Sequence, residues 1–211
     1  MAARLSNSRF QMLTSMVNNA FQTVRSFMRH STQTELCSIC AAGVDEDHEH
    51  LIEPLRRNLI CVCNGCAMLF GADGIRYKRV ARRIRPIEGI RMTDAQWDAL
   101  MIPINLAFFF KSSPANKMVA LYPSAGGPIE SLLSLERWEE IVGDNPALKT
   151  MEPDVEALLV NRASGDNYLL PINKCFELVG LIRTHRRGLS GESEVWERIG
   201  QFFAGLKREH A

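Results

Sequence analysis

The sequence predicts an α+β protein: an N-terminal helix with its linker (1–34), a small cysteine-rich module (35–88), and a body (89–211) whose mostly antiparallel sheet is flanked by helices. Three observations predict it. Apolar residues recur at spacings of three and four near both ends of the chain, the stripe of an amphipathic helix. Short apolar runs bounded by Ser, Pro, Asn and Gly fill the middle, which suits strands joined by hairpins. Five of the six cysteines fall between positions 37 and 66.

The N-terminal stripe consists of Phe10, Leu13, Met16, Val17, Phe21, Val24 and Met28, and it predicts a helix over about Arg9 to Arg29. Thr32 to Glu35 reads as a linker. In the module, Leu59 to Cys63 reads as a strand, Gly71 to Gly74 as a turn, and Ile75 to Val80 as the second strand of a hairpin. The body opens with a helix capped by Thr93, with Trp97 and Leu100 turned inward and Pro103 closing it. Leu106 to Phe110 and Met118 to Tyr122 suit buried strands around a turn at Ser112 to Asn116, and Ser124 to Pro128 reads as a loop. A helix over Leu135 to Val142 follows, with Trp138 and Ile141 inward. Val155 to Val160 and Asn167 to Leu170 then read as paired strands of the same sheet. A helix through Cys175, Leu178, Val179 and Ile182, broken at Gly188 to Gly191, leads to a last amphipathic helix carrying Val195, Trp196, Ile199, Phe202, Phe203 and Leu206.

Composition narrows the function classes. A chain of this length buries about 70% of the surface its unfolded form exposes, enough for a core without crosslinks. With 46% hydrophobic and 23% charged residues it is globular in character, and its net charge of +1 argues against a globally basic nucleic-acid binder. The longest apolar run, Ile102 to Phe110, is about half the length of a membrane span and contains Pro103 and Asn105. No membrane span is expected. The first residues lack the continuous apolar core of a secretory signal, so the expected compartment is the cytoplasm. In that reducing setting, clustered cysteines point to metal or redox chemistry rather than disulfides.

The chemistry lies in the cysteines. Cys37 and Cys40 form one CxxC pair, Cys63 and Cys66 a second, with 22 residues between them. Two residues between thiolates let a tight turn aim both sulfurs at one ion, and a second pair completes a tetrahedron, as in a zinc ribbon. Gly65 suits such a turn. The module is therefore expected to be zinc-ribbon-like, with Zn2+ held by Cys37, Cys40, Cys63 and Cys66; iron or an iron–sulfur cluster is the alternative. Cys61 shares a presumed strand face with Cys63, about 7 Å along the chain. It is either a fifth thiol beside the metal or a small buried hydrophobe. His48 and His50 can replace a thiolate, although their acidic company, Asp45, Glu46, Asp47 and Glu49, predicts a surface position. Cys175 reads as core.

Two stretches of the chain are rich in cations. Arg76 to Arg85 holds six cations and a tyrosine, the composition of a phosphate-contacting ribbon, but a solvated hairpin face explains it more simply, and nucleic acid is not the expected partner. Arg183, His185, Arg186 and Arg187 form a candidate anion or partner contact, or equally cations complementing a helix C-terminus. No Walker loop, GxGxxG, HExxH or GxSxG motif is present, so no catalytic residue is assigned and an enzyme is not expected.

The ordered set of Cys37-x-x-Cys40, His48-x-His50-Leu51, Leu59-x-Cys61-x-Cys63-x-x-Cys66, Ile102-Pro-x-x-Leu-Ala-Phe-Phe109, Glu130-Ser-Leu-Leu133, Glu152 to Arg162 and Leu178 to Gly188-Leu-Ser-Gly resembles an uncharacterised bacterial family, a domain of unknown function. Its genes lie near those of nickel-iron uptake hydrogenases. The resemblance runs from about Cys37 to Leu206. It implies an accessory role in hydrogenase maturation, assembly or regulation, with hydrogenase subunits or maturation factors as protein partners. It also adds weight to His50 and Cys61 at the metal. The expectation is thus a zinc-binding accessory protein acting by protein contacts. A redox or metal-transfer protein with an iron-thiolate site, and a nucleic-acid-binding zinc ribbon, are the alternatives.

Overall fold

The computed structural model describes residues 35–72, 74–124, 126–131, 135–185 and 192–210. The N-terminal helix expected over 9–29 lies outside them. Two antiparallel sheets carry the described residues.

The smaller sheet has three strands, β1 (Glu49–Glu53), β2 (Asn58–Val62) and β3 (Lys78–Arg79), in the order β2-β1-β3. A tight turn joins β1 to β2, with Arg57 at φ 52°. The expected hairpin between β2 and residues 75–80 is corrected here: β3 pairs with β1, Leu51 opposite Arg79, and β1 lies between the other two. The physical reason is that β1 has two faces to bury. Leu51 joins Val62 and Ile60 in a small cluster on one side, while Ile52 and Leu59 join the main core on the other. A strand covered on both faces belongs in the centre. Between β2 and β3 the chain forms helix α1 (Asn64–Gly71), which the sequence reading missed. Gly71 ends it where a Cβ would come within 3.0 Å of both Arg79 and Leu51, so only glycine lets the helix end come down onto the sheet.

The larger sheet contains β4 (Arg85–Pro86), β5 (Leu106–Ser112), β6 (Lys117–Ser124), β7 (Gly127–Ser131), β8 (Glu156–Asn161) and β9 (Asp166–Pro171), in the order β4-β9-β8-β5-β6-β7. All its pairs are antiparallel, as expected. Helices cover both faces, which is why the central strands read as unbroken apolar runs. Phe108, Phe110, Leu159 and Leu170 face α4 (Ile172–His185) and α5 (Glu192–His210), meeting Leu178, Ile199 and Phe203. Phe109, Ala120, Leu158 and Leu169 face α2 (Asp94–Ala99), α3 (Leu135–Asp144) and a 3-10 turn (Pro146–Thr150), with Trp138 stacked on Phe109 at 5.3 Å between centroids. Of the residues read as a loop, Ser124 closes β6 while Gly127 and Pro128 open β7, an edge strand whose exposed middle and Pro128 hid it.

The cationic run belongs to no hairpin with β2; Arg76, Arg79, Arg82 and Arg83 are exposed, as a solvated face requires, but the run is also ion-paired. Arg76 pairs with Glu53 at 3.2 Å, Lys78 with Asp154 at 2.6 Å, Arg79 with Glu49 at 2.9 Å and Arg82 with Asp47 at 3.0 Å. Arg83 reaches Glu156 at 3.1 Å, and Arg85 donates to the Thr150 hydroxyl at 3.2 Å. Asp154 and Glu156 are 2% and 0% exposed, so Lys78 and Arg83 neutralise carboxylates sunk in the body. The segment clasps the small sheet to the large one.

Candidate metal centre

Each CxxC pair sits on its own turn. In the first, the Cys37 carbonyl accepts from Ala41 N–H at 2.8 Å and the Cys37 N–H donates to the Ala42 carbonyl at 2.7 Å, with Ala41 at φ 59°. In the second, Cys63 is extended at the N-cap of α1, and its carbonyl accepts from Ala67 N–H at 2.9 Å. Cys66, one turn into α1, comes back beside it. The Ser38 N–H donates to the Cys61 carbonyl at 2.8 Å and ties the two turns together.

The result is a group of four sulfurs, on Cys37, Cys40, Cys63 and Cys66, all within 4.8 Å of one another. Cys40 Sγ and Cys63 Sγ are 3.7 Å apart. Four thiolates around one ion at about 2.3 Å would stand about 3.8 Å apart, so the donor set fits a tetrahedral centre. Its electrostatics ask for a cation. Burial drives the Cys37 thiol up, but backbone hydrogen bonds from Cys40, Cys63 and Ile39 outweigh it and bring the thiol down to about 6. Cys66 is pushed up to about 12 by burial, by hydrogen bonds with Cys40, Cys63 and Cys37, and by the charge on Cys37. A bound cation would favour the thiolate form of all four.

Cys61 does not join them. It lies on β2 directly opposite His50 on β1, and with His48 these residues form a second group whose ligand atoms are within 4.8 Å of one another. Cys61 Sγ is 3.9 Å from His50 Nε2. The surface position expected for the histidines is corrected: both are partly buried, and the His48 side chain is 7% exposed. Alternation explains it, since the acidic neighbours turn outward or are paired while His48 and His50 turn in. Burial, then the neighbouring His48, lowers the His50 pKa; burial, then the charge of Glu35, raises that of Cys61. Sequence reasoning missed Glu35, whose carboxylate lies 3.4 Å from His48 Nε2. Its position two residues before Cys37 was the only signal.

Elsewhere, His185 Nδ1 is 2.9 Å from the Leu181 carbonyl at the end of α4, where a donated N–H satisfies a terminal carbonyl, and Arg183 is exposed. Arg186 and Arg187 lie outside the described residues. Cys175 is fully buried in the body, and burial holds its thiol well above the ordinary range.

No helix among the described residues is long and apolar enough to cross a membrane. No curated protein and no solved structure matches the chain. Residues 36–210, from just before the first CxxC to the end of α5, match the model of DUF5947, a family of unknown function, and the chain belongs to that family.

Proposed function

We propose that this protein is a zinc-binding accessory protein that acts through protein contacts in a reducing cytoplasm, and that its clients are subunits or maturation factors of a nickel-iron hydrogenase. The observation that carries the metal part is the group of four sulfurs, closed on all sides by cysteine and so without a position for substrate. The module needs a staple, since its buried core is Val44, Leu51, Val62, Ala67 and two of the cysteines, and zinc, which has no redox chemistry, is the usual ion of a closed structural four-thiolate site. Cys61 turns away from the four thiols and lends no support to a redox reading of that centre.

Support for protein contact comes from α1, whose Met68, Leu69 and Phe70 are 68%, 75% and 42% exposed beside the centre. The cations of the 76–85 run are engaged with carboxylates, which favours a protein partner over a phosphate backbone. The hydrogenase context rests on the family resemblance alone.

Two measurements test the reading. Elemental analysis of protein made without a metal-binding tag should find zinc at the four-thiolate centre and no visible colour; iron with thiolate charge-transfer bands would replace zinc by an electron carrier. Deleting the gene from a host that makes such a hydrogenase should lower hydrogenase activity while its subunits are still produced. Unchanged activity would remove the hydrogenase assignment and leave the metal centre standing.

A further inference from the structure

We propose that His48, His50 and Cys61 form a second metal site, separate from the four-thiolate centre, that holds a divalent first-row transition ion in an exchangeable position beside the cleft between the small sheet and helices α4 and α5. This goes beyond the accessory reading and does not depend on the hydrogenase context.

The backbone makes the group. His48 and His50 are two residues apart on extended chain, so both imidazoles project from one face of β1, and the register sets Cys61 directly across from His50. On that face Ile52 and Leu59 continue toward the body; on the opposite face Leu51, Ile60 and Val62 pack on the four-thiolate turns. The two groups of donors are thus on opposite sides of the same sheet and cannot share an ion.

The state of His48 is that of a ligand in waiting. Its Nδ1 lies 2.7 Å from the Asp45 carbonyl, an acceptor only, so Nδ1 carries a proton, and in the neutral ring Nε2 is the nitrogen that presents a lone pair. Metal-bound imidazoles are commonly oriented this way, by a backbone carbonyl on the far nitrogen. That Nε2 is buried and makes no hydrogen bond. Glu35 Oε2 lies 3.4 Å from it without making a hydrogen bond, at about the spacing of two ligands on one ion with bonds near 2.1 Å. An imidazole nitrogen facing a carboxylate at this spacing takes a cation between them, a proton or a metal ion, and the cobalt titration below tells the two apart.

A second observation points to the same place. His50 and His48 line a cleft of about 580 Å³, and so does Asn173, whose Oδ1 is likewise buried without a partner. Arg82 and Lys174 also line it, but each is held by carboxylates, Asp47 and Glu49 for the one, Glu177 and Glu209 for the other. Two imidazoles and one thiolate, all within 4.8 Å of one another, are borderline donors suited to zinc, cobalt or nickel rather than magnesium or calcium, with the Glu35 carboxylate beside His48 as a further oxygen donor. Glu35 is 62% exposed, which makes its position the one that opens.

The test uses the full chain, produced without a metal-binding tag and reconstituted under reducing conditions with one equivalent of zinc, then titrated with cobalt(II). We expect one further equivalent to bind, with ligand-field bands of low-coordinate cobalt and a single thiolate charge-transfer band, and no release of zinc. Cys61→Ser should remove the charge-transfer band, and His50→Ala should weaken cobalt binding by about 100-fold or more. Glu35→Gln should weaken it less. Zinc retained by each variant shows that the module is folded; should a variant lose its zinc, X-ray absorption at the cobalt edge of the unaltered chain decides, nitrogen and oxygen with one sulfur supporting the site and four sulfurs overturning it. Failure to bind a second equivalent, cobalt entering only by displacing zinc, or a spectrum unchanged in both variants would overturn the proposal.

Discussion

Cys63 serves two purposes that a single residue seldom combines. Its extended backbone caps α1, and its sulfur joins the four-thiolate group, so the helix start and the metal centre are one structure. Cys66 is the clearer probe because it caps nothing. We expect Cys66→Ser to abolish metal retention at that centre and to destabilise the module by several kcal/mol, since the free energy of metal binding is its folding free energy. Elemental analysis together with thermal unfolding checks this, and full metal retention would refute it. Lys78 tests another kind of dependence. Its ammonium is 2.6 Å from Asp154, a carboxylate 2% exposed at φ 72° and otherwise held by the Ser113 N–H and hydroxyl. We expect Lys78→Met to cost about 3 kcal/mol in urea unfolding, because it leaves a buried charge without its counter-ion. The ligand cysteines were legible in the sequence because CxxC spacing is local. The role of Lys78 was not, because its partner lies 76 residues away.

Elements divide along the same line. The helix at Thr93 was legible from a signal four residues long, and the structure shows both halves of its capping box: the Gln96 N–H donates to the Thr93 hydroxyl and the Thr93 N–H to the Gln96 side chain. We expect Thr93→Ala to cost about 1 kcal/mol, read as a lower urea midpoint with unchanged slope. Strands β5, β6, β8 and β9 were legible from apolar runs between turn residues. Strand β1 was not, since Glu-His-Leu-Ile-Glu has the length of a strand and the composition of a loop, and without β1 neither the order β2-β1-β3 nor the meeting of His50 with Cys61 could be read. The β1–β2 turn also touches the far edge of the body. Arg57 reaches Glu130 on β7 at 2.7 Å, and Lys117 joins at 3.1 Å. The hydrogen bond from Arg57 holds the Glu130 carboxyl below its ordinary range against the opposing effect of burial. Such a depressed carboxylate stabilises the fold above the unfolded pKa of about 4.3 and ceases to do so as pH falls through the folded value. Glu130 is 38% exposed, so solvent screening limits the effect to under about 1 kcal/mol. We expect Glu130→Gln to be slightly less stable than the unaltered chain at pH 7 in low salt, with the difference shrinking as pH falls below about 4.3, measured by urea midpoints.

At the scale of the molecule, the small sheet has two attachments of different kinds. One face is stapled to itself by the four-cysteine turns; the other contributes Ile52, Leu59 and Val80 to the core of the body and is clasped there by Lys78 and Arg83 on Asp154 and Glu156. The body has its own two-faced sheet, and apart from Ile52, Leu59 and Val80 its core comes from its own strands and helices. Loss of the metal should therefore unfold the chain in parts rather than all at once. We expect a thiol-compatible chelator to erase hydrogen-exchange protection across residues 36–72, where the turns, β1, β2 and α1 depend on the centre, while β5, β8 and β9 exchange as slowly as before. Protection lost across both sheets together would show that the clasp couples them into one cooperative unit, and a client bound at Met68, Leu69 and Phe70 would then sense the metal through the whole fold. Protection lost in the small sheet alone confines that sensing to α1, the helix that both holds Cys66 and exposes those three side chains, so that occupancy of the centre would set whether the contact surface exists.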